Sequence, residues 1–192
     1  MTKTRLYLDV DGVLNANSPQ VAWGGEPREG NAQASHDFNG ERLDPDPIAD
    51  GWGGMRQFPQ FKITWAPALV DALNALDVEL VWLTTWRQDA ADSIAPLLGI
   101  TLPSRVLHPI DGKTVFPSIN WKFEALVADQ LDDPSPFIWA DDEVMDLMHE
   151  QLNFLKGLFQ CEIVAPDSNI GIRPEAVERM RTFISKNAAV TR

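Results

Sequence analysis

Residues 5–10, RLYLDV, form a short apolar run in which polar and apolar positions do not alternate cleanly. Alternation is the mark of a strand with one wet face, so this run suits a strand covered on both faces. Residues 78–85 (VELVWLTT), 135–142 (SPFIWADD) and 161–166 (CEIVAP) share the character, and 104–108 (SRVLH) is a weaker candidate. Helical periods lie between them. Leu69, Val70, Leu73 and Leu76 recur at i, i+1, i+4 and i+7, with Pro67 suited to a first helical turn. Ala90, Ala91, Ile94, Leu97 and Leu98 repeat that spacing ahead of Gly99, which is placed to end a helix, although Pro96 interrupts it. Phe123, Leu126, Val127 and Leu131 mark another helix, residues 143–156 a fourth, and Val177, Met180, Phe183 and Ile184 a last one after Pro174. Strands separated by helices predict βα units: an α/β chain with a central parallel sheet of about five strands and helices on both faces.

Residues 15–62 break this rhythm. They are rich in Gly, Pro, Asn and Asp, in stretches such as AWGGEPREG, FNGERL and DGWGGMRQFPQF. Asn39-Gly40 favours a tight hairpin turn, and Phe61, Ile63 and Trp65 alternate as in a strand leading back to the core. The segment reads as a flap-like insertion after the first strand, within a single domain spanning 1–192. A helical lid would need an amphipathic run, and this segment has turn chemistry instead, so a minimally capped, open site is expected. Trp23 and Trp52 either pack this flap or stack on a substrate, and packing is the default for large rings.

Composition narrows the partners. The 192 residues carry a formal net charge of −12, which repels polyanions and disfavours general nucleic-acid binding. A nucleic-acid end as substrate stays open. The one cysteine, Cys161, sits in an apolar strand and excludes an internal disulfide framework. No apolar run approaches the roughly 20 residues of a membrane span, and no charged-then-apolar leader begins the chain, so a cytoplasmic setting is expected. His36, His108 and His149 share no ligand spacing, which argues against zinc.

The strand ends carry the chemistry. In a parallel α/β sheet the C-termini of the strands share one edge, and ligands settle there where the strand order reverses. Asp9 with Asp11, Thr84 with Thr85, and Asp141 with Asp142 each follow an apolar strand, and Lys122 opens the helix before the fourth. Carboxylates gathered at close range either take up protons or hold a cation. Mg²⁺ prefers oxygen ligands and needs only a couple of carboxylates beside waters and a substrate phosphate. Aspartate can attack phosphorus, while hydroxyl and ammonium groups stabilise the transferring phosphoryl oxygens. Each piece has a plainer reading. An isolated Asp-X-Asp-Gly is more often a loop or a calcium-type turn, and paired threonines are ordinary strand formers. Lys122 also suits a solvated first turn, and Asp142, Glu143 and Asp146 a helix N-terminus. Lys113 in DGKT is the rival cation but reads better as a turn residue.

Taken in order, DVDGVL (9–14), VWLTT (81–85), WK (121–122) and WADDE (139–143) resemble the four motifs of the haloacid dehalogenase (HAD) superfamily of phosphohydrolases. The resemblance runs from residue 5 to about 146 and includes the strand or helix context of each motif. It implies a Rossmann-like three-layer α/β/α fold and Mg²⁺ as cofactor. Asp9 resembles the nucleophile, with its other carboxylate oxygen on the metal. Asp11 resembles the general acid and base, its backbone carbonyl a further metal ligand. Thr84 resembles the hydroxyl that holds a phosphate oxygen, with Thr85 the neighbouring choice of register, and Arg87 and Trp86 border the pocket. Lys122 resembles the cation that offsets charge on Asp9 and phosphate, and Asp141 with Asp142 the acidic pair that completes the metal shell.

The implied activity is a phosphatase acting on a phosphomonoester through an aspartyl-phosphate, its partner a nucleotide, a nucleic-acid end or a phosphometabolite. Asp11 argues against dehalogenation, since relatives acting on carbon–halogen bonds lack that residue. Two alternatives stay open. One is a regulatory module that binds metal and phosphate without turnover, although receiver domains place the acidic pair before the lysine. The other is a phosphomutase, which ordinarily needs a larger lid to exclude water.

Overall fold

The computed structural model describes residues 3–36, 41–43, 46–47, 56–110 and 118–190. The expected turn at Asn39-Gly40, together with Trp52 and Lys113, lies outside them. The chain begins with β1 (Thr4–Leu8), a single helical turn α1 (Gln20–Trp23), and the strands β2 (Arg28–Gln33), β3 (Asp46–Pro47), β4 (Arg56–Gln57) and β5 (Gln60–Trp65). Then follow α2 (Pro67–Asn74), β6 (Val78–Trp82), a π-helical turn (Ala90–Ile94) running into α3 (Ala95–Leu98), and β7 (Ser104–Val106). The last part holds α4 (Ser118–Asp132), β8 (Phe137–Ala140), a 3₁₀ turn (Asp142–Asp146), α5 (His149–Leu158), β9 (Cys161–Val164) and α6 (Pro174–Val190).

The five apolar runs pair in parallel in the order β7-β6-β1-β8-β9. This is the Rossmann-like sheet the pattern predicts, with the order reversing on either side of β1. Side chains alternate between its faces. Leu6 and Leu8 pack with Leu80, Trp82, Ile138 and Ala140 against α2 and α6, while Tyr7, Val81, Phe137 and Trp139 pack against α4 and α5. Two-residue periodicity therefore puts Asp9, two past Tyr7, and Asp141, two past Trp139, on the α4 side. Register does the rest. Leu8 pairs with Ala140, and the ladder continues through Asp9 N–H to the Ala140 carbonyl at 3.1 Å, so the two aspartates leave the sheet at one level.

Charged residues and a tyrosine on this sheet are joined in one network. The buried Arg5 is paired with Glu79 and Asp133, Tyr7 Oη donates to Asp129, and Arg105 Nη2 lies 2.7 Å from Asp129. Burial together with the Asp129 carboxylate pushes the Tyr7 hydroxyl well above the ordinary tyrosine range.

Helix α2 has Pro67 at its start and buries Leu69, Val70 and Leu73, as the spacing predicts. The helix expected over 90–98 is instead a π turn followed by one α turn: the Ala95 N–H reaches back to the Ala90 carbonyl, and Gly99 closes the end at φ 82°. Proline has no N–H for the ladder and its ring crowds the preceding turn, so a widened turn ahead of Pro96 is where the strain goes.

Helix α4 also departs from expectation. Its buried stripe is Ile119, Lys122, Ala125 and Leu126, Leu131 is exposed, and Lys122 sits one turn inside the helix rather than at its opening. Between β1 and α2 the described residues form the antiparallel pairs β2–β5 and β3–β4 and the single turn α1. Ile63 and Trp65 face the core from β5, but Phe61, expected to do the same, is 50% exposed. Trp23 packs on the core and donates its indole N–H to the Ile172 carbonyl at 2.7 Å, the packing reading of that ring.

Candidate active site

The chain leaves β1 in a tight turn in which the Val10 carbonyl accepts from the Leu14 N–H at 2.8 Å and the Asn15 N–H at 2.9 Å. Gly12 takes φ 70°, and a Cβ at this position would overlap the Asp142 carboxylate. Only glycine meets both demands, and so the first loop can lie directly against the acidic pair that follows β8.

Asp9 Oδ1 accepts from the Val10 N–H at 2.7 Å, and Asp9 Oδ2 from the Lys122 ammonium at 2.8 Å. The same Nζ donates to Asp141 Oδ2 at 2.8 Å and lies 3.6 Å from Glu143 Oε2. The other Asp141 oxygen caps the 3₁₀ turn by accepting from the Glu143 N–H at 3.0 Å. Helix-capping and site roles thus coexist in one carboxylate. Lys122 and Asp141 are almost wholly buried. Desolvation alone would strip the proton from Lys122, but Asp9 and then Asp141 reverse this and hold its pKa far above the ordinary lysine value. Desolvation, followed by the charge of Asp9, raises Asp141, and the same two causes push Asp142 up to about 6. Asp146, read from the sequence as suited to a helix N-terminus, is exposed on the 3₁₀ turn.

One ligand oxygen each from Asp9, Asp141 and Asp142 lies within 4.8 Å of the others, and this is the one such acidic group among the described residues. Two of the three carboxylates have raised affinities for protons, through burial first and the charge of Asp9 second. An all-oxygen donor set of this kind fits a hard divalent cation.

Asp11 stands apart from that group. Its Oδ1 accepts from the Asn15 amide at 2.7 Å and its Oδ2 from the Trp86 indole at 2.8 Å, which turns the carboxylate towards the flap instead of the other aspartates. Asn15 in turn accepts the Thr64 N–H at 2.9 Å, tying the loop after β1 to β5.

The segment after β6 holds the remaining expected residues. Thr84 is fully buried, with its Oγ1 accepting from the Trp86 N–H at 3.3 Å, while Thr85 opens onto a cleft of about 280 Å³ shared with Asp11, Trp86 and Phe61. Arg87, expected at the pocket border, is buried at φ 50° with its guanidinium 5.9 Å from the Trp121 ring centre. A positive φ outside glycine is uncommon and concentrates at functional turns.

Sequence reading missed Asp89. It is buried and accepts from the Ser35 N–H (2.8 Å), the Ser35 hydroxyl (2.5 Å) and the His36 N–H (2.9 Å), with His36 Nδ1 at 3.1 Å. It pins the flap to the segment after the threonines. Its one sequence signal is an acid placed directly before the apolar run at 90–98, where a helix-start role is the ordinary explanation.

An aspartate pair after the central strand, a lysine on the buried stripe of α4, and a second acidic pair that meets Asp9 fit the fold of the HAD superfamily. The chain belongs to the family described as the HAD domain in Swiss Army Knife RNA repair proteins, whose model matches residues 5–177. No curated protein and no solved structure matches it significantly.

Proposed function

We propose that the protein is a Mg²⁺-dependent phosphatase that removes a phosphomonoester from a nucleic-acid end through an aspartyl-phosphate on Asp9. The observation that carries this reading is the Asp9–Lys122–Asp141 chain, with both contacts to Nζ at 2.8 Å. Family membership supports phosphohydrolase chemistry, and its description in RNA repair proteins favours a nucleic-acid end among the candidate substrates.

Asp9, Asp141 and Asp142 would hold Mg²⁺, with the Asp11 carbonyl as the further ligand implied by the motif. When bound, the ion would supply positive charge to the phosphoryl oxygens. Lys122 keeps its proton and lowers the charge on Asp9, so that an anionic phosphate can approach. An oxygen of Asp9 attacks phosphorus, the ester P–O bond breaks, and Asp11 gives its proton to the departing alkoxide. Asp11 then takes a proton from water, which displaces phosphate from Asp9 and restores the carboxylate. Thr84 or Thr85 holds a phosphoryl oxygen, and Arg87, expected to assist in substrate binding, would act from its buried position by Trp121. A cytoplasmic setting belongs to the same reading; no helix among the described residues is long and apolar enough to cross a membrane.

The test is phosphate release from 3′- and 5′-phosphorylated oligoribonucleotides, with Mg²⁺ or with a chelator. Activity should require the metal and fall at least about a thousand-fold in Asp9→Asn. Bound Mg²⁺ with no turnover of any phosphomonoester would instead establish a binding module.

A further inference from the structure

Phosphoryl transfer does not account for the cleft beside Asp11. Its apolar walls are Phe61, Trp86, Pro59 and Leu43, and its polar lining comes from Asp11, His36, Thr85 and Asp89. Phe61 and Trp86 meet nearly at right angles, with ring centres 5.5 Å apart and planes at 84°. Two rings so placed form a corner: a flat ligand lying on one presents its edge to the other. Phe61 keeps half of its surface open although it sits on a strand whose alternate residues are core. A volume of about 280 Å³ lies at the small end of ligand pockets, room for one ring system and not for a folded peptide.

We infer that this cleft is a leaving-group slot for the nucleobase of the nucleotide whose phosphate is removed, stacked on Phe61 and Trp86 with its edge towards His36 and Thr85. The inference rests on the phosphatase reading for the identity of the neighbouring site and goes beyond it in assigning the slot. Trp86 joins the two, because its ring lines the slot while its indole N–H holds Asp11. A base is favoured over a phenyl ring by the polar lining. Stacking is tolerant of ring type, but a phenyl edge has no donor or acceptor to meet the polar groups of the cleft.

Phe61→Ala tests the slot, since this ring is half exposed and lies outside the proposed catalytic residues. With Mg²⁺, the KM for a ribonucleoside monophosphate and for a phosphorylated trinucleotide should rise about ten-fold, while that for ribose 5-phosphate, which has no base, stays unchanged. Whichever base-bearing substrate has the higher kcat/KM identifies the source of the base. An equal change on base-bearing and base-free substrates, or none on either, overturns the slot and leaves the phosphatase standing. So does a larger Phe61 dependence for a phosphotyrosine peptide. Calorimetric binding of the same nucleotide to Asp9→Asn, with and without Phe61→Ala, gives a readout free of turnover. A ten-fold loss of binding there, in a protein that hydrolyses no phosphomonoester, upholds the slot and overturns the phosphatase.

Discussion

At Asp142 a half-buried carboxylate faces Asp9 with only Gly12 between the loops that carry them. Burial first and Asp9 second raise its pKa from 3.8 to about 6. A carboxyl raised in this way binds its proton more tightly in the folded chain than in the unfolded one. Its contribution to stability is complete below the ordinary value and is lost as pH rises through about 6. In a chelator, the parent should therefore lose stability relative to Asp142→Asn between about pH 4 and 7. After discounting for solvent screening the difference is about 1–2 kcal/mol. Urea midpoints for both proteins at pH 4.5 and 7 measure it, and parallel pH trends would show that neither burial nor Asp9 raises Asp142. With saturating Mg²⁺ the trend should reverse, because the ion favours the ionised form that the metal-free fold resists.

Asp89 holds two adjacent residues of the flap to the domain. Asp89→Ala would leave the Ser35 and His36 amides without their acceptor, with about 2–3 kcal/mol of charge-assisted hydrogen bonding removed. Amide exchange at 33–36 should quicken by tens of fold while β1 and β6 stay protected; uniform quickening would mean that the pin serves the whole domain. This element also shows what was legible in the sequence. Parallel strands buried on both faces announce themselves as apolar runs, so the sheet could be read, as could the motifs that end its strands. Asp89 could not, because its partners lie more than 50 residues away and no spacing encodes them. Asn15 escaped for a similar reason, its amide joining Asp11 to β5. In α4 the apolar residues Phe123, Val127 and Leu131 drew the stripe about one position away from the true one. Lys122, a charged residue inside the buried stripe, was the more informative anomaly. A lysine there is tolerated only because two carboxylates wait at the strand ends.

Across the whole molecule, Lys122 is where α4, β1 and β8 meet through charge, each carboxylate 2.8 Å from one ammonium. Removing one member of a buried ionic group leaves its partners uncompensated, a cost of about 3–5 kcal/mol. Lys122→Met keeps most of the apolar stem and its packing, so the loss isolates the charge. In a chelator at pH 8 the variant should unfold at markedly lower urea, and Asp141, already raised by burial and Asp9, should be driven further towards its neutral form. Mg²⁺ offers a replacement for the missing charge. Stabilisation by a ligand grows as RT ln(1 + [L]/Kd), about 2.7 kcal/mol at a hundred times Kd. The three carboxylates present a more negative potential once the ammonium is gone, so Mg²⁺ should raise the urea midpoint more in Lys122→Met than in the parent. Turnover should not return with stability, because an ion shared among carboxylates does not replace a cation placed between Asp9 and phosphate. A variant as stable as the parent in chelator would show that the lysine and the aspartates are not coupled. One destabilised but indifferent to Mg²⁺ would show that the acidic cluster does not bind the ion.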